Sequence, residues 1–340
     1  MPAGVAIVGS GIFAREEHLP AVQAAADFEL RAVYSRSLKS AQDLAAGTSG
    51  VELYSEDSGA GKQYADLLSR QDIAAVIIVL PILVQPEFIR SALAAGKHVL
   101  SEKPIAKDLA TAQELVRWYQ SSIDSHRTIW AVGENIRYFA KFAFATEQVQ
   151  KLGRVKNFRV RVHNMVKTDS KYYNTGWRKT PAYQGGFILD GGIHMVAALR
   201  MILGSTGSIT TLSAQSCLLQ PHLPPVDTVD AVLQTRDGAP GVLSLSYGSP
   251  VKDSAFEFVC EGGVVSLHGD RVTVNGESHE IPFDGAGVVP EVAEFAASVA
   301  NGRAVEAKQS AQEALADLEV LEKMLRSGER GGERLEMSMQ

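Results

Sequence analysis

Two groups of residues have the types and spacing to do chemistry. The first is Glu102-Lys103-Pro104, which follows the short apolar run His98-Val99-Leu100-Ser101. Such a run reads as a buried strand, and the carboxyl ends of strands in open parallel sheets border the ligand crevice. Pro104 locks its own φ and restricts Lys103, so the lysine is held with little freedom; the sequence leaves the cis or trans state of their peptide bond open. The second group is Gly185-Gly186-Phe187-Ile188-Leu189-Asp190-Gly191-Gly192-Ile193-His194, preceded by Trp177-Arg178. Asp190 and His194 are four residues apart and share one face of a helical turn. The glycines permit close backbone approach there, and a carboxylate beside an imidazole orients it. Removing hydride from a carbinol requires a proton to leave the hydroxyl, and either Lys103 or His194 could take it. Each group also has a plainer reading. Glu102-Lys103 would be a surface pair beside a turn proline; Asp190 would cap a helix and His194 would be a core histidine.

The elements that must position these groups differ between the two halves of the chain. Val5-Ala6-Ile7-Val8 is a buried strand, followed by Gly9-Ser10-Gly11-Ile12-Phe13-Ala14 and a helix-compatible run. This is the G-x-G-x-x-G/A pattern in the context it needs. Gly9 permits the tight turn, Gly11 lets backbone approach a pyrophosphate, and Ala14 allows close helix packing. Ile12 and Phe13 complete the turn, and the helix start offers N–H groups to phosphate. The second strand, Leu30–Tyr34, runs into Ser35-Arg36-Ser37 with no carboxylate to hold a ribose 2′-OH. A guanidinium with hydroxyls suits a 2′-phosphate, which favours NADP(H) and leaves NAD(H) open. Ala75–Leu80 is a continuous apolar run closed by Pro81, placing Leu80 and Pro81 at another strand end beside the cofactor. Strands and amphipathic helices alternate to Val132, so an α/β, doubly wound parallel Rossmann sheet is expected over residues 1–133.

The second domain is expected to begin at residue 134; a helix is expected over residues 141–152, and from Val155 the period changes. Phe158, Val160 and Val162 alternate with polar residues, and further strands are expected near 210–217, 228–235, 241–247, 255–260, 264–267 and 272–274. Asp237-Gly238, Gly262-Gly263 and Asn275-Gly276 mark hairpins. An apolar helix is expected over Met195–Leu203, and two amphipathic helices follow, the last at about 310–327. Residues 134–340 therefore read as an α+β substrate-binding domain with a large, open, mostly antiparallel sheet. The helices are too few to cover both faces, so a homodimer or higher homo-oligomer through that sheet is expected.

The 340 residues exceed one ordinary core and carry a net charge of −6, which gives no electrostatic footprint for nucleic acid or an acidic membrane surface. Cys217 and Cys260 have no metal-ligand spacing, no close histidine pair is present, and the expected metal content is none. The start of the chain lacks a basic leader pattern and no run is long enough for a bilayer, so a cytoplasmic protein is expected. His18, His163, His222, His268 and His279 are assigned no chemistry.

Taken together, the glycine turn, Glu102-Lys103-Pro104, Trp177-Arg178 and Asp190-Gly191-Gly192-Ile193-His194 resemble the Gfo/Idh/MocA oxidoreductases, a family that includes glucose-fructose oxidoreductase and inositol dehydrogenase. The match runs in order along nearly the whole chain. The resemblance implies a Rossmann domain, a C-terminal domain whose open sheet serves oligomerisation, Lys103 as the catalytic lysine, and Asp190 and His194 completing the site. It implies an NAD(P)-dependent oxidoreductase acting on sugars, polyols or related cyclic alcohols and ketones, with Lys103, Trp177, Arg178, Asp190 and His194 meeting the substrate. Lys103 and Glu102 also border the cofactor. Two rival readings share the fold: a dinucleotide-binding transcriptional regulator without turnover, and an NAD-dependent glycosidase. One departure stands out. The family commonly carries Thr-Pro-Asn and a later His after the fourth strand; here the segment is Leu80-Pro81-Ile82-Leu83-Val84-Gln85. Its apolar character, with Tyr172, Tyr173, Tyr183 and Trp177 elsewhere, points to a substrate less hydrophilic than a plain sugar.

Overall fold

The structure, a computed structural model, describes residues 1–340 apart from the side chain of Thr206. The chain divides into two compact units, one formed by Met1–Asn135 with Ala286–Ala314 and the other by Ile136–Gly285 with Leu315–Gln340.

The first unit is built on β1 (Ala3–Val8), β2 (Phe28–Ser35), β3 (Glu52–Ser55), β4 (Ala75–Ile78), β5 (His98–Glu102) and β6 (Trp130–Gly133). All pairs are parallel, in the order β3-β2-β1-β4-β5-β6. The order reverses between β1 and β4, and the segments that leave those two strands, from Gly9 and from Val79, border the crevice such a reversal opens. Ala75–Ile78 and Val5–Val8 are fully buried, as continuous apolar runs must be in a sheet covered on both faces. Residues 286–314 depart from the expected boundary at 133/134. The helix Val288–Asn301 buries Val288, Val292, Phe295 and Ala296 in one core cluster with Val5, Ile7, Val33 and Ile77. Phe295 meets Phe28 edge-on, with ring centroids 5.7 Å apart. Its apolar stripe announces burial but not against which sheet.

The second unit holds β7 (Val155–His163), β8 (Ile209–Cys217), β9 (Thr228–Thr235), β10 (Pro240–Ser246), β11 (Asp253–Cys260), β12 (Gly263–His268), β13 (Arg271–Val274), β14 (Glu277–Glu280) and β15 (Leu335–Glu336). They form one sheet in the order β14-β13-β12-β11-β7-β10-β9-β8-β15, antiparallel except where β7 meets β10. β14 and β15 escape sequence reading because one is polar throughout and the other has two residues. The Asn275-Gly276 hairpin forms as expected, with φ of 50° and 88° at its two residues.

The helices Ala140–Lys151 and Phe187–Leu203 pack on one face of this sheet. That face buries Phe158 stacked on Phe258, their centroids 6.3 Å apart, and Gly241 is required because its Cβ would lie 2.1 Å from the Phe158 ring. On the other face a single cross-strand row runs Val232, Val242, Arg159, Glu257 and Ser266. Val232 is 60 % exposed, and Val242, Val259 and Val264 are exposed with it. Below the sheet, buried Asp317 accepts from both Arg137 Nη2 and Arg200 Nη1, at 2.5 Å each.

Candidate cofactor and substrate sites

The glycine turn of the first unit is shaped by exclusion. Gly9 N donates to Tyr34 O at 2.8 Å, its φ is +114°, and a Cβ there would lie 2.2 Å from Val79 O and 3.2 Å from Leu80 Cδ2. No side chain fits, so β1 and the exit of β4 close on each other. Leu80 therefore lies against the turn, with half-buried Pro81 after it. At Gly11 a Cβ would meet nothing within 4 Å. A tight turn with open space before its second glycine is the cradle a pyrophosphate requires, and these residues fit a dinucleotide. Ile12 and Phe13 begin the helical run, which passes through a π-helical turn, Ala14–His18, before the α-helix Leu19–Ala24.

The strand end thought to recognise the ribose is arranged differently in detail. Ser35, 5 % exposed, turns its hydroxyl to Ser10 Oγ at 2.6 Å and so braces the glycine turn. Ser37 caps the helix Leu38–Ala45 by accepting from Ser40 N. Leu38 N donates to Asp57 Oδ1 at 2.8 Å, and hydrogen bonds from the Ser55 hydroxyl and then this amide hold the Asp57 carboxyl below its ordinary range. Arg36 is exposed.

At the end of β5, Ser101 is buried and accepts from Trp130 Nε1 at 3.0 Å, which satisfies a hydroxyl inside the sheet. The next side chain, Glu102, meets His18 Nε2 at 2.6 Å. Lys103 follows, half-buried, and its bond to Pro104 is cis. The His18–Glu102 contact is the part of this site that sequence reading missed. The partners are 84 residues apart, and neither carries a local signal for the other.

In the second unit the helix bearing Asp190 and His194 starts at Phe187, not at Met195. The glycines explain the difference. Gly185 and Gly186, with φ of 72° and 48°, make the entry turn. Gly191 and Gly192 lie inside the helix because neighbours occupy their side-chain positions. A Cβ on Gly191 would sit 2.5 Å from Tyr247 Oη, and one on Gly192 would sit 3.1 Å from Leu245 Cδ1. Asp190 and His194 thus lie one turn apart on a single helix, as expected. Asp190 does not cap that helix; the cap position is Gly186.

Asp190 is 7 % exposed and accepts from Arg178 Nε at 2.6 Å. The Arg178 guanidinium lies 3.9 Å from the Trp177 ring centroid and 5.3 Å from that of Tyr172, a cation–π arrangement that fixes its plane. The expected substrate residues Trp177, Arg178 and Asp190 are therefore one contiguous cluster. Tyr183 and Tyr247 adjoin it. Burial raises both phenols, and the negative Asp190 raises them further, so each remains a hydrogen-bond donor at neutral pH. Tyr247 is a second residue that sequence reading missed; an aromatic just past an apolar strand was its only sign.

Among the described residues no group of three or more His, Cys, Asp or Glu is placed to hold a metal ion. No helix among the described residues is long and apolar enough to cross a membrane. Cys217 and Cys260 are free thiols.

A parallel six-stranded sheet with this turn at its switch point defines an NAD-binding Rossmann unit, here followed by a second unit with a large, mixed, mostly antiparallel sheet. Residues 3–123 match the family described as "Oxidoreductase family, NAD-binding Rossmann fold", and residues 147–266 match the Gfo/Idh/MocA C-terminal domain. The chain belongs to the Gfo/Idh/MocA oxidoreductase family. It is 40 % identical over 338 residues to dehydrogenase FPY6 of Fusarium mangiferae, covering 95 % of this chain and 96 % of that one. It is 29 % identical over 253 residues to the dTDP-3,4-didehydro-2,6-dideoxy-alpha-D-glucose 3-reductase of Saccharopolyspora spinosa, covering 73 % and 68 % of the two chains. An oxidoreductase structure from Thermotoga maritima superposes with a TM-score of 0.88 at 30 % identity over 99 % of this chain and 98 % of the other.

Proposed function

We propose that this protein is an NAD(P)-dependent dehydrogenase or reductase acting on the CH–OH or carbonyl group of a small cyclic substrate related to a sugar or polyol. Lys103 and His194 are its acid/base groups. The observation that carries this reading is a half-buried lysine just past the carboxyl end of β5, on the sheet whose glycine turn is shaped for a dinucleotide. The bound dinucleotide supplies the hydride acceptor or donor. The chain's own residues do the rest. Lys103 or His194 holds the proton exchanged with the substrate oxygen. Arg178, fixed by Asp190, and the phenols of Tyr183 and Tyr247 offer hydrogen bonds to ring hydroxyls, while Trp177 offers a face for the ring's C–H groups. A dehydrogenase among the relatives supports the reaction class, and a dTDP-sugar 3-reductase supports the substrate class.

The test is a titration with NADPH and NADH, followed by a screen of cyclic alcohols and ketones for net change in nicotinamide absorbance. Net change with at least one such compound is expected. Sugar release from a glycoside without net change would establish the glycosidase reading, and nucleotide binding with neither response would favour the regulator.

Cofactor preference belongs to the same proposal, with NADP(H) favoured. Arg36 is the cation presented at the end of β2. Arg36→Ala should weaken NADPH binding by about tenfold or more, since a charge-assisted hydrogen bond contributes roughly 1.5–3 kcal/mol. NADH binding should change by less than about twofold, because it lacks the 2′-phosphate. Equal losses in the two titrations would remove the preference.

The open sheet face is proposed to bury itself against a second copy, giving a homodimer or a larger closed assembly. Light scattering should report at least two 36.5 kDa chains per particle. Val232→Glu with Val242→Glu, which sets like charges side by side on that face, should give monomers that still bind nucleotide. A monomeric wild type would refute the assembly. Free thiols and a negative net charge fit a cytoplasmic protein with a small-molecule substrate and no nucleic-acid or membrane partner.

A further inference from the structure

We propose that His18 is a positioning residue for Lys103. It ties the dinucleotide turn to the strand end that carries the lysine, and this inference rests on the reading of Lys103 as an acid/base group.

His18 is 1 % exposed, and its Nε2 lies 2.6 Å from Glu102 Oε1. It closes the π-helical turn Ala14–His18, in which Leu19 N donates to Ala14 O, five residues back. Single π turns inside helices recur where a side chain must be aimed at a functional site. The imidazole also meets Phe13 edge-on, with centroids 5.4 Å apart and planes at 76°. Phe13 belongs to the glycine turn, and Glu102 is covalently adjacent to Lys103. The ring thus touches both parts of the site.

Most buried polar atoms are hydrogen-bonded, and of the two ring nitrogens of His18 one has such a partner. Its Nδ1 is buried with no hydrogen-bond partner among the described residues, while Nε2 meets a carboxylate. Glu102 is therefore the polar contact that orients the ring. On the other side, the Trp130 bond to Ser101 holds β5 in the sheet. With Ser101 and Glu102 both tied, the backbone that enters the Lys103–Pro104 bond has its position set relative to the glycine turn. Without His18, the Glu102 side chain would lose this contact, and the segment that presents Lys103 would lose its side-chain tie to the helix behind the glycine turn.

The test reads the lysine directly and needs no substrate. Lys103 is reductively methylated with isotopic formaldehyde and a mild borane, and its rate is followed by peptide mass spectrometry with exposed Lys107 and Lys39 as internal references. Wild type, His18→Ala, Glu102→Ala, the double variant and His18→Gln are compared with and without NADPH. Gln can place its amide nitrogen close to where the imidazole Nε2 stood. The expected result is a change of at least about fivefold in the Lys103 rate in both alanine variants, with the reference lysines within about 1.5-fold. The double variant should match the singles, as coupled residues do. His18→Gln should return most of the wild-type rate and keeps the test decisive should His18→Ala fail to fold. An unchanged Lys103 rate would overturn the proposal, as would a uniform change across all lysines with loss of cooperative unfolding. Failure of wild type to bind either nucleotide would count against the proposed function and leave the methylation result to judge His18 on its own.

Discussion

Lys103→Ala is expected to lower turnover by about a thousandfold while leaving NADPH affinity within about threefold. A positioned acid/base group contributes roughly 10²–10⁴ in rate. The nucleotide is held chiefly by the glycine turn and the helix start behind it, which the substitution does not touch. Lys103 is half-buried at the end of a strand whose preceding residues are individually tied, Ser101 to Trp130 and Glu102 to His18. Truncation should therefore remove the amine without collapsing the strand. Initial rates from nicotinamide absorbance, with a substrate found in the screen, give the first number; fluorescence titration of bound NADPH gives the second. Turnover within tenfold of wild type would move the proton to His194, and His194→Ala would then have to show the larger loss.

Gly9→Ala is expected to fail at binding before chemistry begins. The added methyl carbon would lie 2.2 Å from Val79 O, in a backbone conformation with φ of +114° that side chains rarely adopt. A strained non-glycine conformation costs about 1–3 kcal/mol and overpacking about the same again, so stability should fall by roughly 2–6 kcal/mol. Relief of the clash requires β1 and the exit of β4 to separate, which opens the turn that would grip the pyrophosphate. Denaturant unfolding should show the lower midpoint, and nucleotide titration should show affinity reduced by a hundredfold or more wherever the variant folds. Gly11→Ala is the natural control. A Cβ there meets nothing within 4 Å, so stability should hold while the methyl group intrudes where the nucleotide sits. Equal loss of stability in both variants would contradict the division of labour between the two glycines.

Much of this was legible in the sequence because its signals are local. A continuous apolar run ending in a glycine turn needs no distant partner to be recognised, and neither does a strand that alternates on Phe158, Val160 and Val162. The period of the pattern follows from backbone geometry alone, which is why the parallel and the antiparallel sheet could be told apart, although residues 286–314 return to the first unit. Lys103, held by the proline after it, and Asp190 and His194, one turn apart, were legible for the same reason.

What the sequence could not carry were relations between residues far apart along the chain. The glycines at 185, 186, 191 and 192 look like breakers, yet two of them sit within a helix because Tyr247 and Leu245 fill the space beside them. The helix Val288–Asn301 has an unmistakable apolar stripe, but only packing assigns it to the parallel sheet's core. Arg178 for Asp190, and His18 for Glu102, were chosen in the same way. By itself the sequence determined the class of fold, the turn that cradles a dinucleotide and the candidate acid/base groups, because short-range backbone rules and side-chain chemistry suffice for these. The tertiary structure alone decided which charge faces which. A buried carboxylate must find a partner, and the partner is whatever close packing brings within hydrogen-bond reach rather than what lies near it in the chain.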